Sequence, residues 1–180
     1  MKIIKKIIKF TFLFIIIFLI FGFAFFGYSK LSLKVEIKNA NNITLYDKDN
    51  NSFFVGSGTN AWINLEDISK YLINATISTE DKNFYKHIGF DIPRIIKAGF
   101  KNLTSGKTLE GASTISQQYV KNLFLDFDKT WERKWNEMWL TLNIELHYSK
   151  DDILEGYLNT INYGNIFGIE NASKYYFGKK

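Results

Sequence analysis

Cysteine is missing from all 180 residues of this chain. No disulfide staples the fold, and a structural zinc site built from thiolates is excluded. Histidine occurs only as His87 and His147, and proline only as Pro93. No aspartate or glutamate precedes Glu36. Past the first 28 residues there are no internal repeats and no low-complexity tracts. A chain of this length can bury a proper core without such aids.

What is present at the start is basic and then apolar. The formal charge is +5, but Lys2, Lys5, Lys6 and Lys9 carry most of it, and from Phe10 onward 19 basic residues face 18 acidic ones. A nucleic-acid reader carries its excess charge on the folded part, so no nucleic acid is expected as a partner. Residues 10–28 read FTFLFIIIFLIFGFAFFGY, with Thr11 the only clearly polar member. As a helix they measure about 28 Å, close to the thickness of a hydrocarbon core. Lysines before the run, and none after it until Lys30, favour a cytoplasmic N-terminus and an exported remainder. A cleaved signal peptide is the competing reading. Gly22-Phe23-Ala24 offers a small-x-small site, yet Phe25 and Phe26 continue the apolar run beyond it, so an uncleaved anchor is preferred.

Residues 31–60 alternate weakly, and DKDNN at 47–51 between two apolar runs is a hairpin turn signal. From residue 64 the period becomes helical. Ile68, Tyr71, Leu72 and Ala75 predict a buried stripe on a helix that ends near Thr79. Asp91 is suited to cap a second helix with Pro93 in its first turn, its apolar face formed by Ile92, Ile95, Ile96, Phe100 and Leu103. TSGKTLEG at 104–111 is a loop by composition. A third helix is expected from Ser113 or Thr114, carrying Ile115, Val120 and Leu123. Trp131, Trp135, Met138, Trp139, Leu142 and Leu146 form the stripe of a fourth. Ser149 and Asp152 make a capping box for a fifth, bearing Ile153, Leu154, Tyr157, Leu158 and Ile161 and ending by Gly164. A last helix is expected over about Ile169–Tyr176. The fold class is mainly α, one transmembrane helix and a short β-rich linker preceding a helical domain.

Several polar residues remain without a structural task. Arg133 and Glu137 are four apart, opposite the tryptophan stripe. They read either as a solvated ion pair worth about 0.2–0.5 kcal/mol or, with Lys134, as a cationic patch suited to phosphate. In the junction Gly111-Ala112-Ser113-Thr114-Ile115-Ser116-Gln117-Gln118, the hydroxyls and amides suit plain capping and equally a phosphate or sugar. Lys121 extends this polar side. Glu80 and Asp81, after an apolar helix, are either an exposed acidic helix end or a carboxylate pair in which repulsion and burial raise one pKa towards a general base. His87 reads first as a hydrogen-bonded structural residue, and His147 as a charge partner for its helix's C-terminal dipole.

Together and in this order, these stretches resemble the five signatures of the glycosyltransferase family 51 peptidoglycan polymerases. Glu80 to Gly89 (EDKNFYKHIG) is similar to the first, and Gly111 to Asn122 (GASTISQQYVKN) to the second. Arg133-Lys134-Trp135-Asn136-Glu137 is similar to the third, and Lys150 to Asn159 (KDDILEGYLN) to the fourth. Asn162-Tyr163-Gly164, Gly168-Ile169 and Tyr176-Phe177-Gly178-Lys179 match the fifth. The resemblance covers residues 62–180, and residues 43–58 look like the segment before the transferase domain of bifunctional class A penicillin-binding proteins. It divides the chain into a cytoplasmic basic segment (1–9), an anchor (10–28), a β-rich linker (29–61) and a transferase domain (62–180).

The resemblance implies a lysozyme-like helical domain that polymerises lipid II outside the cytoplasmic membrane by inverting transfer, releasing undecaprenyl pyrophosphate. By matched motif Glu80 is the general base, with Asp81, Phe84 and His87 positioning around it. Ser113, Thr114, Gln117, Gln118, Lys121, Arg133 and Lys134 match donor-site positions for sugar and pyrophosphate. Glu137 matches a second functional carboxylate, orienting donor groups or a metal. The metal requirement is left open: cations or a divalent ion, Mg or Mn, would neutralise the leaving group. The implied partners are lipid II, the growing glycan chain, the membrane and other cell-wall synthesis proteins. The family's counterpart of residues 88–103 is a jaw touching the bilayer, so Ile92, Ile96 and Phe100 read as core or as membrane contacts.

Three departures stand out. Ala112 and Ser116 replace the usual glycine and threonine. The stretch 162–168 is short. The chain stops just after Phe177-Gly178-Lys179, where the family continues through further helices. The alternative expectation is therefore a truncated, weak or inactive anchored remnant acting as an interaction module. A lysozyme-like hydrolase is disfavoured by Lys121, Arg133 and Lys134, because hydrolysis has no pyrophosphate to hold.

Overall fold

The computed structural model describes residues 2–37, 44–46, 52–55, 62–106, 111–124, 130–164 and 166–178. It forms two units, residues 1–33 and 34–180. The first is a single helix, α1 (Lys2–Leu31). An unbroken apolar sequence keeps every backbone hydrogen bond inside the helix, which is what a bilayer demands of a spanning segment. The stretch Ile4–Leu31 is long and apolar enough to cross a membrane, and none of its most apolar window is buried within the protein. The apolar run 10–28 lies inside it, and Lys5, Lys6 and Lys9 belong to the same rod.

The second unit contains two short strands and six helices among the described residues. β1 (Thr44–Tyr46) pairs antiparallel with β2 (Ser52–Val55), Leu45 opposite Phe54. The DKDNN turn between them lies outside the described residues, as does 107–110 of the loop read at 104–111. The helices are α2 (Lys70–Glu80), α3 (Ile92–Ser105), α4 (Ile115–Phe124), α5 (Trp131–His147), α6 (Lys150–Thr160) and α7 (Ile169–Phe177). This mainly α architecture is the one expected, and it is consistent with a lysozyme-like helical domain.

Helix α4 is the centre of the core, packed against both α5 and α6. Ile115, Tyr119 and Val120 meet Ile144 and the α6 stripe Ile153, Leu154, Tyr157 and Leu158. Each such side chain, fully buried, contributes about 1.5–3 kcal/mol. The α4–α6 approach depends on Gly156, where an added Cβ would stand 2.0 Å from the Tyr119 hydroxyl oxygen. That hydroxyl donates to the Ile37 carbonyl (2.9 Å) and Tyr148 donates to Val35 (2.8 Å). Residues 35–37 are thereby clipped onto the helices, and Ile37 is buried. On the outer side of α6, Glu155 accepts from Trp62 Nε1 (2.8 Å) and the Leu65 N–H (2.9 Å), while Asn159 accepts from the Ile63 N–H (3.0 Å).

The local caps are as expected. Asp91 accepts from the Arg94 N–H at the start of α3, and Ser149 and Asp152 form the reciprocal box of α6. His147 Nδ1 lies 2.8 Å from the Asn143 carbonyl in the last turn of α5. Helix α6 differs at its other end, stopping at Thr160 with Ile161 as its C-cap rather than running on to Gly164.

Two apolar stripes, on α2 and α5, differ from expectation, and the α3 face, read as core or as membrane contact, lies outside the core. Of the α2 stripe, Ile68 is buried and Leu72 faces inward as expected, whereas Tyr71 and Ala75 are exposed and Ile73 and Ile77 take their place. On α3 the whole predicted face is exposed, reaching 71% at Phe100 and 84% at Leu103, while Ala98 alone is buried. On α5, Trp131 is 92% exposed and Trp135 is exposed too. The second and third turns of α5 direct Glu137 and Thr141 inward, because there the helix borders a polar site rather than the core.

Candidate active site

Helix α2 delivers Glu80 as its last residue, and Asp81 follows as the C-cap. The Glu80 carboxylate is half-buried and accepts from Gln118 Nε2 on α4 at 2.9 Å. The Gln118 amide is itself oriented, since its carbonyl oxygen accepts from the Tyr157 hydroxyl at 3.3 Å. Burial, and then the charge of Glu80, push the Tyr157 hydroxyl well above the ordinary tyrosine pKa. Tyr157 therefore stays a donor, and the amide keeps its nitrogen towards Glu80.

Asp81 points the other way and is buried. One of its oxygens accepts from the Ile115 N–H at the start of α4 (3.1 Å), and both lie 3.1 Å from His87 Nε2. The adjacent carboxylates thus part company, Asp81 acting as a structural anion at a helix N-terminus. Phe84 is wholly buried, edge-on to His87 and beneath the Lys150 ammonium at 4.5 Å. Gly89 closes the turn at φ +82°, where an added Cβ would sit 2.7 Å from Thr141 Cγ2.

The junction before α4 is a cap. Thr114 Oγ1 accepts from the Gln117 N–H (3.2 Å) and donates to the Gly89 carbonyl (2.7 Å), and Gln117 Oε1 accepts from the Thr114 N–H (3.2 Å). This reciprocal arrangement satisfies two N-terminal donors and leaves Gln117 Nε2 to donate to Glu137 Oε1 at 3.3 Å.

Glu137 is only 3% exposed. Arg133 Nη1 stands 3.1 Å from one of its oxygens, and Lys134 Nζ pairs with the other. The solvated ion pair read from spacing is therefore a buried carboxylate with two cations and an amide. Arg133 Nε is buried with no hydrogen-bond partner among the described residues, while Nη1 goes to Glu137. Ser113 and Lys121 are exposed at the surface. Among the described residues no three His, Asp or Glu side chains converge to hold a metal. At Glu137 the ammonium and guanidinium already stand where a cation would bind, so these residues do not fit one.

The consecutive glutamines of α4 therefore join two carboxylates from different helices, Gln118 to Glu80 and Gln117 to Glu137. Such a site has an accessible proton acceptor on one side and a cationic patch on the other, the pairing needed to activate a hydroxyl and stabilise an anionic leaving group.

Three contributors were not singled out by the sequence reading. Tyr157 orients Gln118. Glu145 accepts from Lys150 Nζ (2.8 Å) and from the Ser116 hydroxyl, steadying the first turn of α4. Arg94 on α3 donates through Nη1 to the Glu80 carbonyl. Tyr157 lies within the stretch similar to the fourth signature, and Arg94 carries a signal of its own: a cation in the first turn of a helix opposes the macrodipole and calls for a partner elsewhere.

Comparison with known proteins bears on the sequence as a whole. Residues 50–180 match the family model described as Transglycosylase. Over 119 residues the chain is 53% identical to penicillin-binding protein 2D of Bacillus subtilis (strain 168), covering 66% of this chain and 17% of that protein. It is 51% identical over 118 residues to the biosynthetic peptidoglycan transglycosylase of Nitrosospira multiformis, covering 65% and 51%. The protein of the same name from Haemophilus influenzae (Rd) is 50% identical over 119 residues, covering 66% and 48%. The chain thus spans about half, or less, of the length of the curated relatives it matches.

Proposed function

This chain belongs to the transglycosylase family, and from that premise we propose that it is a peptidoglycan glycosyltransferase that polymerises lipid II. The single observation that carries the reading is the α4 glutamine pair binding the half-buried Glu80 on one side and the cation-paired Glu137 on the other. Glu80 takes the proton from the acceptor's GlcNAc 4-hydroxyl. The freed oxygen attacks C1 of the MurNAc at the lipid-linked end of the growing chain. The bond from C1 to the pyrophosphate oxygen breaks, undecaprenyl pyrophosphate departs with the electron pair, and the anomeric centre inverts.

Arg133 and Lys134, themselves held in place by Glu137, neutralise the departing pyrophosphate. Gln118 keeps the Glu80 carboxylate oriented, while Asp81, Phe84 and His87 fix the turn behind it. Thr114 and Gln117 set the start of α4, and the exposed Ser113 and Lys121 are assigned to holding the donor. Helix α1 anchors the chain with its lysine-rich end in the cytoplasm. The exposed face Ile92, Ile95, Ile96, Phe100 and Leu103 gathers large apolar side chains on one side of a helix, as membrane or partner contacts do, and bilayer contact there accounts for it.

The test is polymerisation of lipid II by the full chain in vesicles. Glycan strands are expected from the parent, with a loss of about 10³-fold for Glu80→Gln. A folded parent chain that makes no polymer would instead favour an anchored interaction module.

A further inference from the structure

Glu80 is the last residue of α2, so its carbonyl is one of the four that the helix leaves without an internal partner. Arg94 supplies that partner from another helix. Its Nη1 donates to the Glu80 carbonyl oxygen, and Nη2 lies 3.5 Å from the Gly111 carbonyl, at the entry to the α4 junction. The guanidinium also places positive charge at the negative end of the α2 dipole, where a cation is favoured.

The first turn of α3 is held to the same stretch by a second bond. Asn83 Nδ2 donates to Asp91 Oδ2 at 2.9 Å, and Asp91 Oδ1 accepts from the Arg94 N–H at 3.0 Å. Asp91 is buried, and the Asn83 amide and then the Arg94 N–H hold its carboxyl below the ordinary range, so it remains an anion that both donors can use. Glu80 to Asn83 is thereby lashed to the start of α3 at two points. The Glu80 carboxylate is independently held by Gln118 from α4.

We propose that Arg94 is a positioning residue for the reaction: it locks the backbone at Glu80 to the first turn of α3, so that the carboxylate meets the acceptor hydroxyl in one orientation. The Arg94 guanidinium is directed at the backbone carbonyls of Glu80 and Gly111. Its contribution is pre-organisation, and a small displacement of a base lowers turnover far more than binding. The inference rests on the glycosyltransferase reading and names a determinant of Glu80 that the motif pattern does not contain. Helix α3, whose apolar face is exposed, becomes the element on which the base is mounted.

The experiment uses the full chain in lipid vesicles with lipid II as substrate, comparing parent, Arg94→Gln and Arg94→Lys. The glutamine variant keeps a side-chain donor too short to span the gap, whereas the lysine variant restores one charged donor. Arg94→Gln is expected to lower kcat about tenfold or more while KM stays within about twofold, and Arg94→Lys to recover part of the loss. Equal kcat in parent and Arg94→Gln, or a loss confined to KM, overturns the proposal. Amide hydrogen exchange at residues 79–84 supplies a readout independent of activity. Faster exchange there in Arg94→Gln, with the thermal transition unchanged, supports the clasp, and identical exchange overturns it. A parent chain that makes no polymer removes the glycosyltransferase reading, while the exchange measurement still decides whether Arg94 holds Glu80.

Discussion

The two glutamates of the site are held in opposite ways. Glu80 ends a helix, is half-buried, and receives a neutral amide donor. Glu137 lies mid-helix, is buried, and is met by an amide, a guanidinium and an ammonium. A carboxylate so fully compensated has little left to offer a proton, because transfer would strand two cations. One with a neutral partner and solvent access keeps lone pairs available. The contrast separates a group suited to react from one suited to hold charges in register, although both are glutamates in matched motifs.

The comparison breaks most severely by removing the compensated partner. Glu137→Ala leaves Arg133 and Lys134 without their counter-ion, so stability is expected to fall by about 2–3 kcal/mol, at or below the usual cost of breaking a buried pair because Lys134 reaches solvent. Thermal unfolding measures this, and polymerisation should fall with it. An unchanged transition temperature would show that Glu137 is not the hub described. Gly156→Ala comes next, forcing a methyl against Tyr119. A loss of about 1–3 kcal/mol is expected from overpacking, seen in chemical denaturation, with neither carboxylate's partners changed.

Gln118→Ala sharpens the other side. It removes the amide donor from the Glu80 carboxylate and leaves the Tyr157 hydroxyl without its acceptor. Turnover should drop about tenfold, a hydrogen-bonding contribution of roughly 1–1.5 kcal/mol, while KM holds. A rise in KM with kcat intact would make Gln118 a substrate ligand instead.

The smallest effect is set by pH. The Asp91 carboxyl lies below its ordinary 3.8. Its stabilising contribution is therefore complete above that value and lost as the pH falls through the lower folded pKa. Asp91→Asn, still able to cap α3 but left with one acceptor for two donors, should lower the neutral value modestly and flatten the acid limb of the stability curve below about pH 4. An acid limb as steep as the parent's would contradict this.

These contrasts also mark what could be read in advance. The caps at Asp91 and Ser149 were legible because a cap is settled within four residues. The α4 and α6 stripes were legible because both are buried along their length. Trp131 and Trp135 of α5 are exposed where a core stripe is expected, and the isoleucines of α3 read equally as core or as membrane contacts, because periodicity reveals that a face is apolar, not that another element covers it. Burial of Glu137 depends on Gln117, twenty residues away on another helix, and spacing along α5 alone carries no trace of it. The separation of Glu80 from Asp81 was hidden for the same reason, since α4 takes one through an amide side chain and the other through a backbone N–H. Arg94 stands against the dipole of its own helix, a signal that the sequence does carry.

The central claim is that Glu80, and not Glu137, is the proton acceptor. Its most direct test is the turnover of Glu80→Gln at saturating lipid II in vesicles, with thermal unfolding measured on the same preparation. The account predicts a loss of about 10³-fold in kcat with an unchanged transition temperature. Turnover within about tenfold of the parent would contradict it.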